Sequence, residues 1–274
     1  MPDYLDALLD GARRRVADAR VRVPLDALAD AARAVASPPS FFDALRGPHV
    51  AVIAEIKRAS PSKGRLAPDV DARALGERYR DAGAAAISVL TEPAQFLGSL
   101  DDLASVASLG VPTLRKDFIV DPYQVWEARL HGAAAVLLIV AALDDETLNE
   151  LAATADEAGL ATLVEVHNEG ELARAQRAGA KVIGINARDL HTFAIDRDAF
   201  ARLRPLIAEG VVAVAESGVR DADDVRRYAS LGAGAVLVGE SLVTAPDAGS
   251  ALAALVAAGR GVGGHVGSRR VAQR

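Results

Sequence analysis

The apolar run Val50-Ala51-Val52-Ile53-Ala54 ends in Glu55 and Lys57 and continues into Arg58-Ala59-Ser60-Pro61-Ser62-Lys63-Gly64. In an extended strand, side chains alternate between faces, so Ala51, Ile53, Glu55 and Lys57 share one face and Val52, Ala54 and Ile56 the other. One face therefore turns from apolar to ionised where the strand stops. The same change recurs at Leu114/Lys116/Phe118, Leu163/Glu165, Gly184/Asn186/Arg188 and Val214/Glu216. The inward set, Glu55, Lys57, Lys116, Glu165, Asn186, Arg188 and Glu216, is three cations, three anions and an amide. Ammonium and carboxylate groups gathered in one place do general acid and base work on a small substrate. Any one of them alone reads as an ordinary buried ion pair or a solvated charge. Five strands with the same departure at the same end read as a site, because a ring of charge costs stability that apolar residues would not.

A second cluster follows the last two apolar runs, at Ser217-Gly218 and Gly239-Glu240-Ser241. Glycine at a strand end lets an anion approach backbone N–H groups, and in closed parallel barrels phosphate is held after the seventh and eighth strands. Ser60 and Lys57 could reach the same anion. His49, His131, His167, His191 and His265 show no ligand spacing, and there is no cysteine, so no metal site is expected. His167, two residues beyond Glu165, reads as a loop histidine, with a place on the mouth as the other reading. Ser60, Ser62 and Ser217 carry no nucleophile signature. Tyr123 and Trp126, at helical positions, read as packing residues.

These groups need a frame that brings separate strand ends together. Short runs rich in Val, Ile, Leu and Ala begin near Val52, Ala86, Thr113, Val136, Thr162, Val182, Val212 and Val236, roughly 26 residues apart, enough for a helix and two loops in each βα repeat. Their near-continuous apolar character suits strands covered on both faces. Gly83, Gly110, Gly132, Gly159, Gly179, Gly210 and Gly232 each close a helix-like segment just before a strand, the place for a left-handed residue. Amphipathic stretches at Asp71 to Ala82, Asp145 to Ala158, Glu169 to Ala178, Ala222 to Leu231 and Ala248 to Ala258 supply helices. The pattern predicts a (β/α)8 TIM barrel over residues 48–258, with an open doubly wound sheet as the rival.

Residues 1–47 read as a helical extension: helices over Asp3 to Ala19 and Pro24 to Ala36, a break at Ser37-Pro38-Pro39-Ser40, and a short turn from Phe41 to Leu45. Composition leaves both a packing role and a lid over the mouth open. Residues 259–274, with Gly259, Gly261, Gly263, Gly264 and Gly267 among basic residues, read as a disordered tail.

The 274 residues are 51% hydrophobic, enough for a large core, and 37 acidic against 31 basic side chains give a net charge of −6. That balance speaks against nucleic acid or an anionic membrane as partner. The start lacks a signal-peptide pattern, and a cytoplasmic location is expected.

Ala54 to Gly64, Leu114-Arg115-Lys116-Asp117-Phe118, Leu163-Val164-Glu165-Val166-His167, Ile185 to Leu190 and Ala215-Glu216-Ser217-Gly218 together resemble the indole-3-glycerol-phosphate synthase family, from about Ser40 to Ala258. The family also has an N-terminal helical segment, which favours the lid. The resemblance implies a carboxy-lyase of tryptophan biosynthesis. Its substrate would be 1-(2-carboxyphenylamino)-1-deoxyribulose 5-phosphate, an anionic phosphosugar-anthranilate, closed to indole-3-glycerol phosphate with loss of carbon dioxide and water and with no cofactor. Lys116 and Lys57 would be acids whose roles are interchangeable at this point, Glu165 a base, and Glu55 the group that keeps a lysine charged. Arg188 and Asn186 would hold the anthranilate end, with Glu216 on a sugar hydroxyl or a lysine. Phe96, Phe118, Leu137 and Leu237 would wall the ring, and Ser60, Lys57, Ser217, Gly218, Gly239 and Glu240 would take the phosphate. Transient contact with other enzymes of the pathway is a further expectation. Two rivals are a phosphosugar aldolase working through a Schiff base on Lys116 and a phosphometabolite-binding barrel without turnover.

Overall fold

A computed structural model describes residues 4–190 and 192–261. Eight parallel strands, β1 (Ala51–Ile56), β2 (Ala86–Leu90), β3 (Thr113–Lys116), β4 (Ala135–Ile139), β5 (Ala161–Val166), β6 (Val182–Asn186), β7 (Val212–Glu216) and β8 (Ala235–Val238), close into a barrel. Closure is direct: β1 pairs with β2 on one side and with β8 on the other. An open doubly wound sheet is thereby excluded.

The connections obey local chemistry. Asp71, Ser99, Asp121, Asp144, Asn168, Asp221 and Asp247 each cap a helix by accepting backbone N–H groups that the helix leaves unpaired. At the other end of each unit the glycine sits in the left-handed region, with φ from 70° at Gly159 to 92° at Gly83. A side chain there would be strained, which is why the punctuation was visible as glycine.

Alternation splits the strands between two cores. Ile53, Leu114, Leu163, Val214 and Leu237 fill the barrel interior, whereas Val52, Ala54, Ile56, Val164 and Ile183 pack under the helices. Helix α3 (Phe41–Ala44) packs Phe41 and the following Leu45, each 1% exposed, into the interior cluster. The segment read as a short turn is thus part of the barrel's core.

Helices α1 (Tyr4–Arg22) and α2 (Leu25–Ala34) precede it. They dock beside the helix Pro122–Leu130, where the Tyr123 hydroxyl donates to the Ala19 carbonyl (3.3 Å) and Arg33 covers the Trp126 ring at 4.6 Å. Both aromatics are packing residues, as read from their helical spacing. The last helix runs Ala248–Arg260, two residues beyond the boundary expected for the tail. Gly259 belongs to it because its carbonyl accepts the Val50 N–H (3.3 Å) and a Cβ at 259 would meet the Val50 carbonyl at 2.4 Å. The remaining tail, with His265, and also His191, lie outside the described residues. No described helix is long and apolar enough to cross a membrane.

Candidate active site

The carboxyl ends of the strands open into one cavity lined by Glu55, Lys57, Lys116, Glu165, Asn186, Arg188 and Glu216. The register brings them level: Asn186 stands opposite Glu216, and Glu165 opposite Gly184. Lys116 Nζ lies 3.0 Å from Glu165 Oε2 and 3.3 Å from Glu216 Oε2. Asn186 donates from Nδ2 to Glu165 Oε1 at 3.0 Å. A second pair stands in the same cavity, Lys57 Nζ to Glu55 Oε1 at 2.8 Å, and the Ser88 hydroxyl donates to the other Glu55 oxygen at 3.4 Å.

Buried charge sets the protonation. Burial would lower the Lys116 pKa, but Glu165, Glu216 and Glu55 outweigh it and push it above the ordinary lysine value. Glu165 is desolvated yet faces Lys116, His167 and the Asn186 amide, and its pKa falls to about 2. Glu216 is raised to about 7 by burial and by the neighbouring carboxylates Glu165 and Glu55, against the pull of Lys116. Lys116 is therefore ammonium and Glu165 carboxylate at neutral pH, while Glu216 is the carboxyl group that takes up a proton first. Its Oε1 is buried without a hydrogen-bond partner.

The apolar wall is made by Phe96, Phe118, Leu137 and Leu237, with the Phe96 and Phe118 rings 6.3 Å apart. Across the mouth lie Ser60, Ser217, Gly218, Gly239 and Glu240. Ser217 and Gly218 are both left-handed, at φ 63° and 78°. For a serine that conformation costs about 1–2 kcal/mol, strain of the kind that clusters at ligand sites. The buried Ser60 hydroxyl has no partner. Glu240 turns toward Lys63, 3.7 Å away, so its carboxylate has a cation rather than the anion site to face.

Every residue singled out from the sequence for catalysis, ring contact or phosphate lines this cavity. Others were missed. Tyr4, Leu5 and Leu8 of α1 and Phe193 also line it, and Tyr4 meets Phe193 edge-on at 5.2 Å. The Tyr4 hydroxyl is buried and unpartnered. Glu92 and Asp117, both nearly fully buried, form a belt at the rim: Asp117 accepts from Thr91 (2.7 Å), Arg115 (3.1 Å) and Arg15 of α1 (2.8 Å), and Glu92 lies 3.6 Å from Arg15. Asp117 sits one place out of the inward alternation, and contacts from α1 have no signature in a βα repeat. His167 does follow β5 in a loop, but its ring folds back to 3.5 Å from Glu165 Oε1.

Residues 5–255 match the sequence pattern of the family described as indole-3-glycerol phosphate synthase. The indole-3-glycerol phosphate synthase of Mycobacteroides abscessus is 54% identical over 256 residues, 93% of this chain and 94% of that protein. That of Mycolicibacterium smegmatis is 52% identical over the same shares. Among solved structures, tryptophan synthase from M. tuberculosis superposes with a TM-score of 0.61 at 16% identity, covering 82% of this chain and 99% of that one. The 3-hexulose-6-phosphate synthase of Salmonella typhimurium gives 0.60 at 15%, covering 78% and 100%. At such identities these two speak for the fold alone.

Proposed function

This chain belongs to the indole-3-glycerol phosphate synthase family of tryptophan biosynthesis, and from that premise we propose a division of labour among the cavity's residues. The observation that carries it is Lys116, held as an ammonium between carboxylates of β5 and β7, at the edge of an apolar pocket.

Ring closure of 1-(2-carboxyphenylamino)-1-deoxyribulose 5-phosphate joins the aromatic carbon that bears the carboxylate to the ketone carbon. Lys116 donates a proton to the ketone oxygen as the bond forms, which stabilises the developing alkoxide. Loss of carbon dioxide then restores the aromatic ring, which makes the enzyme a carboxy-lyase. In the last step Glu165 takes a proton from the sugar carbon bonded to nitrogen while Lys57, paired with Glu55 at 2.8 Å, protonates the departing hydroxyl as water. Each acid or base contributes about 10²- to 10⁴-fold. Asn186 orients Glu165 through its amide, and Glu216 holds Lys116 in place or takes a sugar hydroxyl. Arg188 meets the anthranilate carboxylate at the rim. Phe96, Phe118, Leu137 and Leu237 exclude water from the ring, and Lys57, Ser60, Ser217, Gly218, Gly239 and Glu240 receive the phosphate, Gly218, Gly239 and Glu240 through their backbones. Helix α1 acts as the lid: Tyr4, Leu5 and Leu8 on the cavity support that role. A small-molecule substrate of amino-acid biosynthesis suits a cytoplasmic enzyme.

The Schiff-base reading needs Lys116 as a neutral amine, and its raised pKa argues against that. Incubating the purified protein with the carboxyphenylamino ketose phosphate tests the assignment: indole absorbance and carbon dioxide should appear together. Borohydride trapping of substrate on Lys116, or binding without product, would overturn it.

A further inference from the structure

His167 is a partly buried titratable group for which the reaction above has no use. It is not among the residues lining the cavity, yet it touches the base from behind. After β5 the chain turns so that the His167 backbone N–H donates to Glu171 Oε2 (2.8 Å), with the ring Nδ1 3.0 Å from the same oxygen. Glu171 is itself fixed: its Oε1 accepts from the Asn168 amide (2.6 Å), and its N–H donates to Asn168 Oδ1 (2.9 Å). The ring orientation is thus set at one nitrogen.

The other nitrogen, Nε2, is buried, makes no hydrogen bond, and lies 3.5 Å from Glu165 Oε1. A carboxylate oxygen therefore faces each ring nitrogen. A neutral imidazole has one N–H and one lone pair, and in this setting its lone pair would confront one of the two carboxylates. Only the imidazolium donates to both. The charged groups about the ring are Glu171 on the following helix, Glu165 on β5 and, farther off, Glu216 on β7, with Lys116 beyond Glu165.

We propose that His167, clamped by Glu171, is a positioning residue for the base: as an imidazolium it fixes Glu165 Oε1 and keeps that carboxylate ionised, leaving Oε2 to Lys116 and the substrate. This rests on Glu165 being the base, as assigned above. Burial lowers the His167 pKa, but Glu171 and Glu165 outweigh it and the net direction is upward. Asn186 and His167 then meet the same oxygen from two sides, one from β6 and one from the loop after β5.

Titration of the imidazole nitrogens by NMR in the intact enzyme tests this without reference to turnover. His167 should stay doubly protonated above the ordinary histidine range, and Glu171→Gln should bring it down. A ring that is neutral at pH 7 would overturn the proposal. In kinetics, His167→Gln should lower kcat about 10-fold with KM within about twofold, and should move the acid limb of the kcat profile to higher pH as Glu165 loses a cation. Parental kcat and an unmoved limb in that variant would also overturn it. Glu165→Gln separates the two levels: an inactive Glu165→Gln beside a normal His167→Gln sinks the positioning role alone, whereas an active Glu165→Gln sinks the base.

Discussion

Glu216 occupies the space that a side chain on Gly184 would need: a Cβ at 184 would stand 1.8 Å from Glu216 Oε1 and 3.3 Å from the Leu163 side chain. The bare backbone of β6 lets the β7 carboxylate reach Lys116. Gly184→Ala must therefore displace the carboxylate or the strand. We expect a loss of about 1–3 kcal/mol in stability from overpacking and a fall in kcat of about 10-fold or more as Lys116 loses its geometry. Melting curves and steady-state kinetics on one preparation check both, and an unchanged kcat would show that the Glu216 contact is dispensable.

Lys116→Ala removes the acid proposed for ring closure. Turnover should drop at least about 100-fold with a much smaller change in KM, because the interaction is made in the transition state. Near-normal turnover would move the acid elsewhere.

Ser217→Trp introduces bulk at the left-handed corner beside Gly218. The apparent KM should rise about 10-fold or more while kcat changes little, as expected for lost phosphate binding. An effect confined to kcat would count against the phosphate assignment.

Arg15 carries ion pairs from α1, the proposed lid, to Asp117 and Glu92. Arg15→Ala leaves Asp117 its bonds to Arg115 and Thr91, so the barrel should keep its melting temperature while α1 exchanges its amide hydrogens faster. We expect KM to rise about two- to tenfold, and parental exchange in α1 would refute the latch.

Glu216 also predicts a pH dependence of stability. Its pKa is near 4.5 unfolded and about 7 folded, so the native state binds the proton more tightly. Its contribution is present in full below pH 4.5 and is lost as pH rises through 7. Between pH 5 and 8 the melting temperature should fall less in Glu216→Gln than in the parent. Equal slopes in the two proteins would show that Glu216 does not carry that proton.

The barrel and its mouth were legible because both are written in short-range patterns. Two-residue alternation placed Glu55, Lys116, Glu165, Asn186 and Glu216 inward, and glycine before each strand marked the repeat. What escaped depends on contacts between distant segments. Nothing around Tyr4 or Arg15 announces that α1 meets Phe193 and Asp117, since an amphipathic helix looks the same whether it covers a mouth or a wall. His167 was read as an ordinary loop residue for the same reason: its partners, Glu165 and Glu171, make sense only once the loop turns back. The partner of the Glu240 carboxylate, Lys63, is likewise a long side chain from another loop that no local pattern announces.

Lys116 and Glu216, 3.3 Å apart in space, lie at opposite sides of the middle of the chain, with three strands and their connections between them. A nascent polypeptide emerging from the ribosome can offer Lys116 only Glu165 of the fifth strand until the seventh strand docks, and the cylinder is still open until the eighth seals it to the first. Closing so long a loop is slow compared with forming one βα unit. Competence for catalysis should thus appear late and all at once during refolding, after most helical signal has recovered.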